Sequence, residues 1–485
     1  MLFNSFEYIV FFAITLALYF RLRLKARWPI LLIASYIFYM GWQPLFVFLL
    51  MFSTLVDYLG GLVIDTARRQ SLRKLALCTS VGTNLTLLGT FKYYNFFVHN
   101  VSTIGHAFGS DLHFAYINVI LPVGISFYTF QSLSYTFDVY SRRLPAQRNF
   151  LRYALYVAFF PQLEAGPIER AARLVPQLQT DKTANPARFR SGLWLIGYGL
   201  FKKMCISDVV SGAVQSVYAH PREFSGSYLL IASFLFAIQI YCDFSGYSDI
   251  AIGCARMLGV DLMTNFRQPY YSRSLTEFWR RWHISLSTWF RDYLYFPLGG
   301  NRGGLPLGLR NVMIVFLLSG VWHGAAWTFI LWGGLHGSVL CVERIWSSAF
   351  NRLRAGNTGI LSDHPGVLRG ILGLVWTNAI VLAGWVFFRA QSLKDANYIL
   401  THFARLGSVS YSVFKIIGFA SFEILLTLFH LVVLFIVDYM IFARQDTLRK
   451  LGTNRVLAIG VAVALFYDII VFGVFEKKDF IYFQF

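Results

Sequence analysis

The sequence is poor in charge. Of its 485 residues, 14% are Asp, Glu, Lys or Arg, whereas soluble proteins carry about 25%. Apolar residues of the AVILMFWYC class make up 56%, and the mean hydropathy is +0.54. A chain of this composition cannot cover its surface with charge. This excludes a cytosolic enzyme, a disordered chain and a secreted disulfide scaffold, and it predicts an integral membrane protein.

Cysteine is also scarce, and the signatures of several common sites are missing. The five cysteines are scattered, with no CxxC or Cys/His spacing, so we expect buried thiols, no metal site and no bound cofactor. The glycine-rich stretch 298–304 lacks the lysine of a P-loop, which argues against nucleotide hydrolysis. The net charge of +19 is typical of basic cytoplasmic loops rather than of nucleic-acid binding.

Charge-free runs alternate with loops along the first third of the chain. The run 8–20 is followed, not preceded, by basic residues, which indicates a retained span rather than a signal peptide. The GWQP turn at 41–44 divides the next run into two spans. The loops around Arg69 and Arg148 are basic and the loop 99–113 is not. The positive-inside rule therefore predicts an external N-terminus.

Several segments do not fit a straight span. The uncharged stretch 153–163 is too short to cross a bilayer and is predicted to be re-entrant or interfacial. Lys202 and Lys203 interrupt the next apolar stretch and predict a broken helix. The 32-residue runs 224–255 and 311–342 would each form a helix of about 48 Å. We therefore expect each of them to tilt, break or turn back, with glycine break points at Gly246 and at Gly333-Gly334, respectively.

Further spans are predicted in 370–388, 412–441 and 455–475, for a total of ten to twelve membrane segments. No soluble domain or fixed-period repeat is apparent. The whole chain, 1–485, is predicted to form one membrane domain, with an interfacial segment at about 260–310.

Ionisable residues inside apolar runs are candidate functional residues, because a charge in a membrane is costly. They are Asp57, Asp243, Asp249, His323, His336, Glu423, His430, Asp438 and Asp468. His323 lies in SGVWHGAAW near the middle of the 311–342 run, with Trp322 available as a wall. A neutral imidazole there can act as a general base, and a purely structural buried histidine is the alternative. Asp243 and Asp249 could line one cavity if their helix opens at Gly246.

The stretch 278–293 predicts an amphipathic helix at the membrane interface. At about 100° per residue its aromatic side chains share one face, and Arg280, His283 and Arg291 share the other. The arginines, with Arg281, either bind the phosphates of a cytosolic ligand or simply anchor the helix.

These segments together resemble the membrane-bound O-acyltransferase family, in the bacterial branch that O-acetylates exported polysaccharides. The similar stretches are LPVGISFYTFQSLSY (121–135), FFPQLEAGPIER (159–170), DFSGYSDIAIG (243–253), FWRRWHISLSTWFRDYLYFPLGGNR (278–302) and SGVWHGAAWTFILWGGLHG (319–337). The resemblance runs from residue 1 to the terminal FIYFQF. Glu164 departs from the family pattern, which has an uncharged residue after FFPQL.

The resemblance implies an all-α polytopic membrane protein: a ring of about 11 transmembrane helices with re-entrant and interfacial helices. It implies that His323 is catalytic and that His283 is the upstream partner of the pair. Arg280, Arg281, Arg291, Trp322, Asp243 and Asp249 are the candidate substrate-binding residues. The donor would be cytosolic acetyl-CoA, the location the bacterial inner membrane, and the route to the acceptor a periplasmic partner of the serine-esterase type.

Many membrane spans with buried ionisable groups are also expected of two other classes of protein. A polysaccharide or ion transporter would typically show inverted repeats, and none is apparent. A membrane haem protein would need matched histidines on two helices, and His99, His106 and His113 lie in an apparent loop. The acceptor, whether alginate-like, cellulose or peptidoglycan, cannot be read from the sequence.

Overall fold

A computed structural model describes residues 1–110, 112, 114–118, 120–164, 166–180, 182–355, 367–410, 421–444 and 454–483. His113, the first part of the predicted span 412–441 and the last two residues lie outside the described residues. Helices are the only regular elements in this part of the chain, as predicted.

The helices, in chain order, are α1 (Phe6–Arg21), α2 (Leu24–Met40), α3 (Phe46–Thr66), α4 (Gln70–Leu88), α5 (Tyr94–Ala107), α6 (Ile125–Tyr140), α7 (Phe150–Ala158), α8 (Phe160–Leu163), α9 (Ala171–Gln179), α10 (Pro186–Leu200), α11 (Asp208–Ala219), α12 (Gly226–Met257), α13 (Leu275–Arg281), α14 (Ile284–Phe290), α15 (Gly304–His323), α16 (Trp327–Ala355), α17 (Val367–Arg389), α18 (Leu393–His402), α19 (Ser421–Ala443) and α20 (Arg455–Phe472).

The chain forms two compact units. The first unit comprises Met1–Ile196, Tyr247–Met263 and Tyr482–Phe485, and the second comprises Gly197–Gly246 and Thr264–Ile481. That the whole chain acts as one membrane domain stays a prediction.

In the first unit, α2 ends at Met40 and α3 begins at Phe46, so the predicted turn at 41–44 is confirmed. The predicted loop 99–113 is wrong in its first half, because α5 continues to Ala107. Two polar side chains there bond to their own helix: Asn100 donates to the Phe96 carbonyl at 2.7 Å and Thr103 to the His99 carbonyl at 2.8 Å.

The segment 150–170 is short and irregular, as predicted. α7 stops at Ala158, and Phe159 leaves helical geometry before the single turn of α8. Side chains replace the missing helical bonds: the Phe160 amide donates to the Ser35 hydroxyl at 3.1 Å and the Gln162 amide to the Tyr156 carbonyl at 2.8 Å. The segment is buried almost throughout, including Glu164, which is 1% exposed.

In the second unit, the predicted interruption at Lys202 and Lys203 takes the form of a π-helical stretch, Phe201–Ser207, between α10 and α11. Both lysines are buried. The Lys203 ammonium lies 2.9 Å from an Asp208 oxygen and 2.8 Å from an Asp243 oxygen. The wider turn thus places a buried cation between two carboxylates.

The predicted glycine break points are wrong, because all three glycines lie inside continuous helices, where Gly246 and Gly333 serve close packing. α12 is continuous through Gly246, where a Cβ would lie 2.8 Å from the Gly199 carbonyl oxygen. The 311–342 run breaks at 324–326 instead of at Gly333-Gly334. A Cβ at Gly333 would collide with the Phe316 carbonyl oxygen, so this glycine lets α15 and α16 pack closely.

Six helices in the described part of the chain are long and apolar enough to cross a membrane: α3, α12, α15, α17, α19 and α20. Each corresponds to a predicted apolar run. The predicted total of about 11 spans stays a prediction.

Candidate active site

His323 is the last residue of α15, in the second unit. The chain leaves the helix at Gly324, whose backbone is extended. The imidazole is 3% exposed. Its ring lies 4.8 Å from the Trp332 ring of α16 and 5.2 Å from the Phe388 ring of α17, measured between centroids. His323 is therefore held at a helix end inside an aromatic enclosure.

His283 occupies a sharp break between α13 and α14, so the predicted continuous helix over 278–293 is wrong. Its backbone is left-handed, with φ 41° and ψ 54°, a conformation that costs a non-glycine residue about 1–3 kcal/mol. Asn265 holds the break: its carbonyl accepts from the Ile284 amide at 2.9 Å, and its side chain accepts from the Ser285 hydroxyl at 3.0 Å. The surrounding structure thus fixes His283 in a strained position.

The His283 side chain is completely buried. Its ring centroid lies 4.6 Å from that of Phe244 on α12 and 6.1 Å from that of Trp322. Burial lowers the pKa of His283 to about 3. The imidazole is consequently neutral at physiological pH.

Trp322 joins the two histidines. Its ring lies 5.0 Å from the His323 ring and is itself only 5% exposed. The structure thus brings three of the predicted residues, His283, Trp322 and His323, into one buried cluster from two separate segments. Imidazoles enclosed by aromatic rings can take up and deliver a proton with little competition from water.

The three predicted arginines lie on either side of the helix break. Arg281 pairs with Glu277 at 2.9 Å and Arg291 with Asp292 at 2.8 Å. Arg280 is exposed and forms no ion pair with a residue in the described ranges. No contact joins these guanidinium groups, and their proposed role with phosphates stays a prediction.

Asp243 and Asp249 do not converge as predicted, because α12 does not open between them. Six residues along a continuous helix place two side chains about 120° apart. Asp243 is engaged within the second unit: it pairs with Lys203 and accepts from the Ile481 amide at 2.7 Å. Asp249 is partly buried and belongs to the first unit.

The sequence analysis missed the residues that enclose the site. Trp332 lies between two imidazoles, 4.8 Å from that of His323 and 4.9 Å from that of His336. The Lys203–Asp208 pair was also missed. The four-residue spacing of Trp332 and His336 on one helix was a visible signal for their contact, but nothing local linked either residue to His323.

Comparison with known proteins identifies the family of this chain. Residues 142–383 match the family model of the membrane-bound O-acyltransferase family, a range that contains both histidines. The chain is 41% identical over 388 residues to a protein named probable alginate O-acetylase from Pseudomonas putida, covering 80% of this chain and 76% of that protein. It is 36% identical to a peptidoglycan O-acetyltransferase from Helicobacter pylori, covering 81% and 77%.

A more distant relative is a teichoic acid D-alanyltransferase from Bacillus subtilis, 27% identical over 46% of this chain and 59% of that protein. The names of these three relatives describe transfer of an acetyl or D-alanyl group, and they mention alginate, peptidoglycan and teichoic acid. With identity above 40% over most of both chains for the Pseudomonas protein, the assignment is secure: this chain belongs to the membrane-bound O-acyltransferase family and is a multi-pass membrane O-acyltransferase.

Proposed function

We propose that this chain passes acetyl groups from cytosolic acetyl-CoA across the bacterial inner membrane for O-acetylation of an exported polysaccharide. The observation that carries the proposal is the buried pair of His283 and His323 on either side of Trp322. The names of the Pseudomonas and Helicobacter relatives support acetyl as the group transferred and an envelope polymer as the final acceptor.

The chemistry requires a base and a donor for the developing oxyanion. His323 accepts the proton of the attacking hydroxyl as its oxygen bonds to the thioester carbonyl carbon. The carbon–sulfur bond then breaks, and the proton passes from His323 to the leaving CoA thiolate. Because burial keeps His283 neutral, we assign it to hydrogen bonding and positioning rather than to holding the proton.

The donor enters from the cytosolic side in this proposal. Arg280 is exposed beside the α13–α14 break, so its charge is available to a phosphate. Arg281 and Arg291 already pair with carboxylates, and they would have to exchange these partners or keep them as support. Arg280 is therefore the first candidate among the three.

The acceptor side is extracytoplasmic, and a periplasmic partner of the serine-esterase type would take the acetyl group onward. Alginate-like polymers, cellulose and peptidoglycan remain the candidate acceptors. Among the relatives, the printed names include alginate and peptidoglycan. Family membership favours acyl transfer over the transporter alternative.

Substitution of His323 tests the proposal. His323→Ala and the larger His323→Gln should both insert and purify, and transfer of labelled acetyl in membrane vesicles should fall by about 10²–10⁴-fold, the usual contribution of a general base. Two variants are needed because alanine leaves a space between the Trp332 and Phe388 rings, whereas glutamine retains most of the volume.

His430→Ala is the matched control, because His430 is also a buried imidazole of the second unit, 1% exposed and 3.0 Å from Asp468. It should keep most of the transfer activity. His336 is less suitable as a control, since it packs on the same Trp332 ring as His323. Transfer by purified His323→Gln within a few-fold of wild type would refute the general-base mechanism.

A further inference from the structure

A carboxylate on α16 binds the start of α13 and has no role in the chemistry above. Oε1 of Glu343 accepts a hydrogen bond from the Leu275 amide at 2.7 Å. Oε2 accepts from the Thr276 amide at 3.0 Å and from the Thr276 hydroxyl at 2.8 Å. Glu343 lies 68 residues after Leu275 in the chain, so these three bonds join two separate segments of the second unit.

The first turn of α13 is capped partly by its own sequence and partly by α16. The Ser274 hydroxyl accepts from the Glu277 amide at 3.1 Å, and the Glu277 carboxylate accepts from the Arg273 amide at 2.9 Å. This local capping box leaves the first two helical amides, which have no partner within a helix, to Glu343. The negative charge of Glu343 also lies at the favourable end of the α13 dipole.

The position of α13 depends on its neighbours, because a helix of seven residues is not stable by itself. Trp279, on α13, has its ring 5.5 Å from that of Trp332 and 5.2 Å from that of His336, measured between centroids. Trp332, His336 and Glu343 follow one another on α16 at spacings close to one and two helical turns, so they share one face of that helix. This face holds α13 by two rings and one carboxylate.

Both histidines of the candidate site adjoin this contact between α13 and α16. His283 follows α13 at the left-handed break. The Trp332 ring, on the same face of α16 as Glu343, lies 4.8 Å from the His323 ring. Trp332 and Glu343 are about 16 Å apart along α16, so Glu343 is too far from His323 to take part in the reaction itself.

We propose that Glu343 is a positioning residue for acyl transfer: its carboxylate fixes the start of α13 on α16 and thereby sets the position of His283 relative to His323. The inference rests on the proposed function, since it requires both histidines to act. The isosteric variant Glu343→Gln tests it. A glutamine offers one acceptor oxygen where glutamate offers two, so it cannot satisfy both amides of α13, and α13 is free to shift.

Steady-state transfer of labelled acetyl by the purified full chain separates kcat from KM. We expect Glu343→Gln to lower kcat about tenfold or more, because a small misplacement of a catalytic group has an effect of at least this size. The KM for acetyl-CoA should stay within a few-fold of wild type, since the exposed Arg280 side chain can follow a small shift of α13. An unchanged kcat, or a loss that comes from KM alone, would overturn the proposal.

Ser392→Ala is the matched control, because it removes a helix cap elsewhere in the same unit. The Ser392 hydroxyl accepts from the Asp395 amide at 3.1 Å at the start of α18. This variant should lower the unfolding temperature about as much as Glu343→Gln does and keep the wild-type kcat. If both variants lower kcat equally at equal loss of unfolding temperature, the effect is one of general stability and the positioning role is wrong.

If Glu343→Gln does not purify, Thr276→Val still decides. It keeps the shape of the side chain and removes only the hydroxyl that donates to Glu343, so we expect a kcat a few-fold below wild type, and a wild-type kcat contradicts the proposal. The two proposals fail in different ways. An active His323→Gln refutes the base mechanism, whereas an inactive His323→Gln beside a fully active Glu343→Gln refutes the positioning role alone.

Discussion

At the scale of single residues, the arginines beside the helix break differ in their exposure and in their ion pairs. Arg281 makes a close ion pair within α13 and also donates to the Arg267 carbonyl at 3.1 Å, so it supports local structure. Arg280 is exposed, and the Arg291 side chain is 53% exposed beside Asp292. A ligand phosphate could therefore recruit Arg280 and Arg291 at small structural cost.

Charge removal at these two positions should weaken donor binding. In an Arg280→Ala, Arg291→Ala double variant we expect the KM for acetyl-CoA to rise about tenfold or more, since each charge-assisted contact contributes about 1.5–3 kcal/mol. The kcat should change little, because such contacts serve the bound donor and the transition state equally. Steady-state kinetics in detergent or vesicles measure both quantities.

Arg222→Ala provides the control for this experiment. Arg222 is similarly exposed and lies in the same unit, where it pairs with Asp395 at 3.5 Å. It does not belong to the α13–α14 break. If the KM for acetyl-CoA is the same in the double variant, the control and the wild type, the arginines do not bind the donor and serve only to anchor the helix at the membrane.

At the scale of elements, the segment after α20 is bound firmly to the π-helical stretch and to α11. The Val474 amide donates to the Met204 carbonyl at 3.1 Å, and the Lys478 ammonium donates to the Asp208 carbonyl at 2.8 Å and to the Ser211 hydroxyl at 3.0 Å. Phe480 then packs on Phe244, which packs on His283. Through Phe480 and Phe244, the segment therefore supports the position of His283.

Loss of the Lys478 contacts should make the segment after α20 hold His283 less firmly in its position. Lys478→Ala removes two hydrogen bonds of a charged donor, worth about 1.5–3 kcal/mol each at most, and should lower both the unfolding temperature and acetyl transfer. Lys477→Ala, at the exposed neighbour, should do neither. A Lys478→Ala variant with wild-type unfolding temperature and activity would show that the segment does not hold the site.

Element boundaries show what could be predicted and what could not. The turn at 41–44 was predictable because glycine and proline coincide there and interrupt the apolar run. Gly246 and Gly333 looked equally suited to breaking a helix, yet both lie inside one. A glycine breaks a helix or lets another backbone approach, and only the neighbour across the contact decides between the two.

The candidate site also contains some features that could be predicted from the sequence and others that could not. His323 was predictable, since a histidine is costly in an apolar run, and the family resemblance named His283. The left-handed break at His283 was not, because it depends on Asn265, eighteen residues earlier in the chain. The walls of Trp332 and Phe388 come from other helices, so no local pattern announced them.

At the scale of the whole molecule, the predicted orientation in the membrane rests on two basic loops that the first unit brings together. Arg148 pairs with Asp65 at 2.8 Å, and Arg73 donates to the Tyr140 carbonyl at 2.7 Å. The ends of α3 and α6 and the start of α4 therefore lie at one end of this unit. The positive-inside rule predicts that this end is cytoplasmic.

Cysteine labelling checks this orientation. Cysteines placed at Arg69 and Arg148 should react only when the cytoplasmic face is accessible, and a cysteine at Ser102 should react from the opposite side. Exposed Cys78 must be replaced first, because it would react by itself. A cytoplasmic signal from Ser102 would reverse the predicted direction of acetyl flow.

The place where α15 ends has an electrostatic consequence. A Cβ at Gly324 would collide with the Phe329 ring, so the residue after His323 must be glycine for Phe329 to pack there. The final carbonyls of α15 give that end of the helix a partial negative charge. In the proposed mechanism, the positive charge of the protonated imidazole would lie at the favourable end of the helix dipole. Such an arrangement contributes roughly 0.3–1 kcal/mol, up to about a fivefold gain in rate. The same histidine one turn earlier would lose most of it.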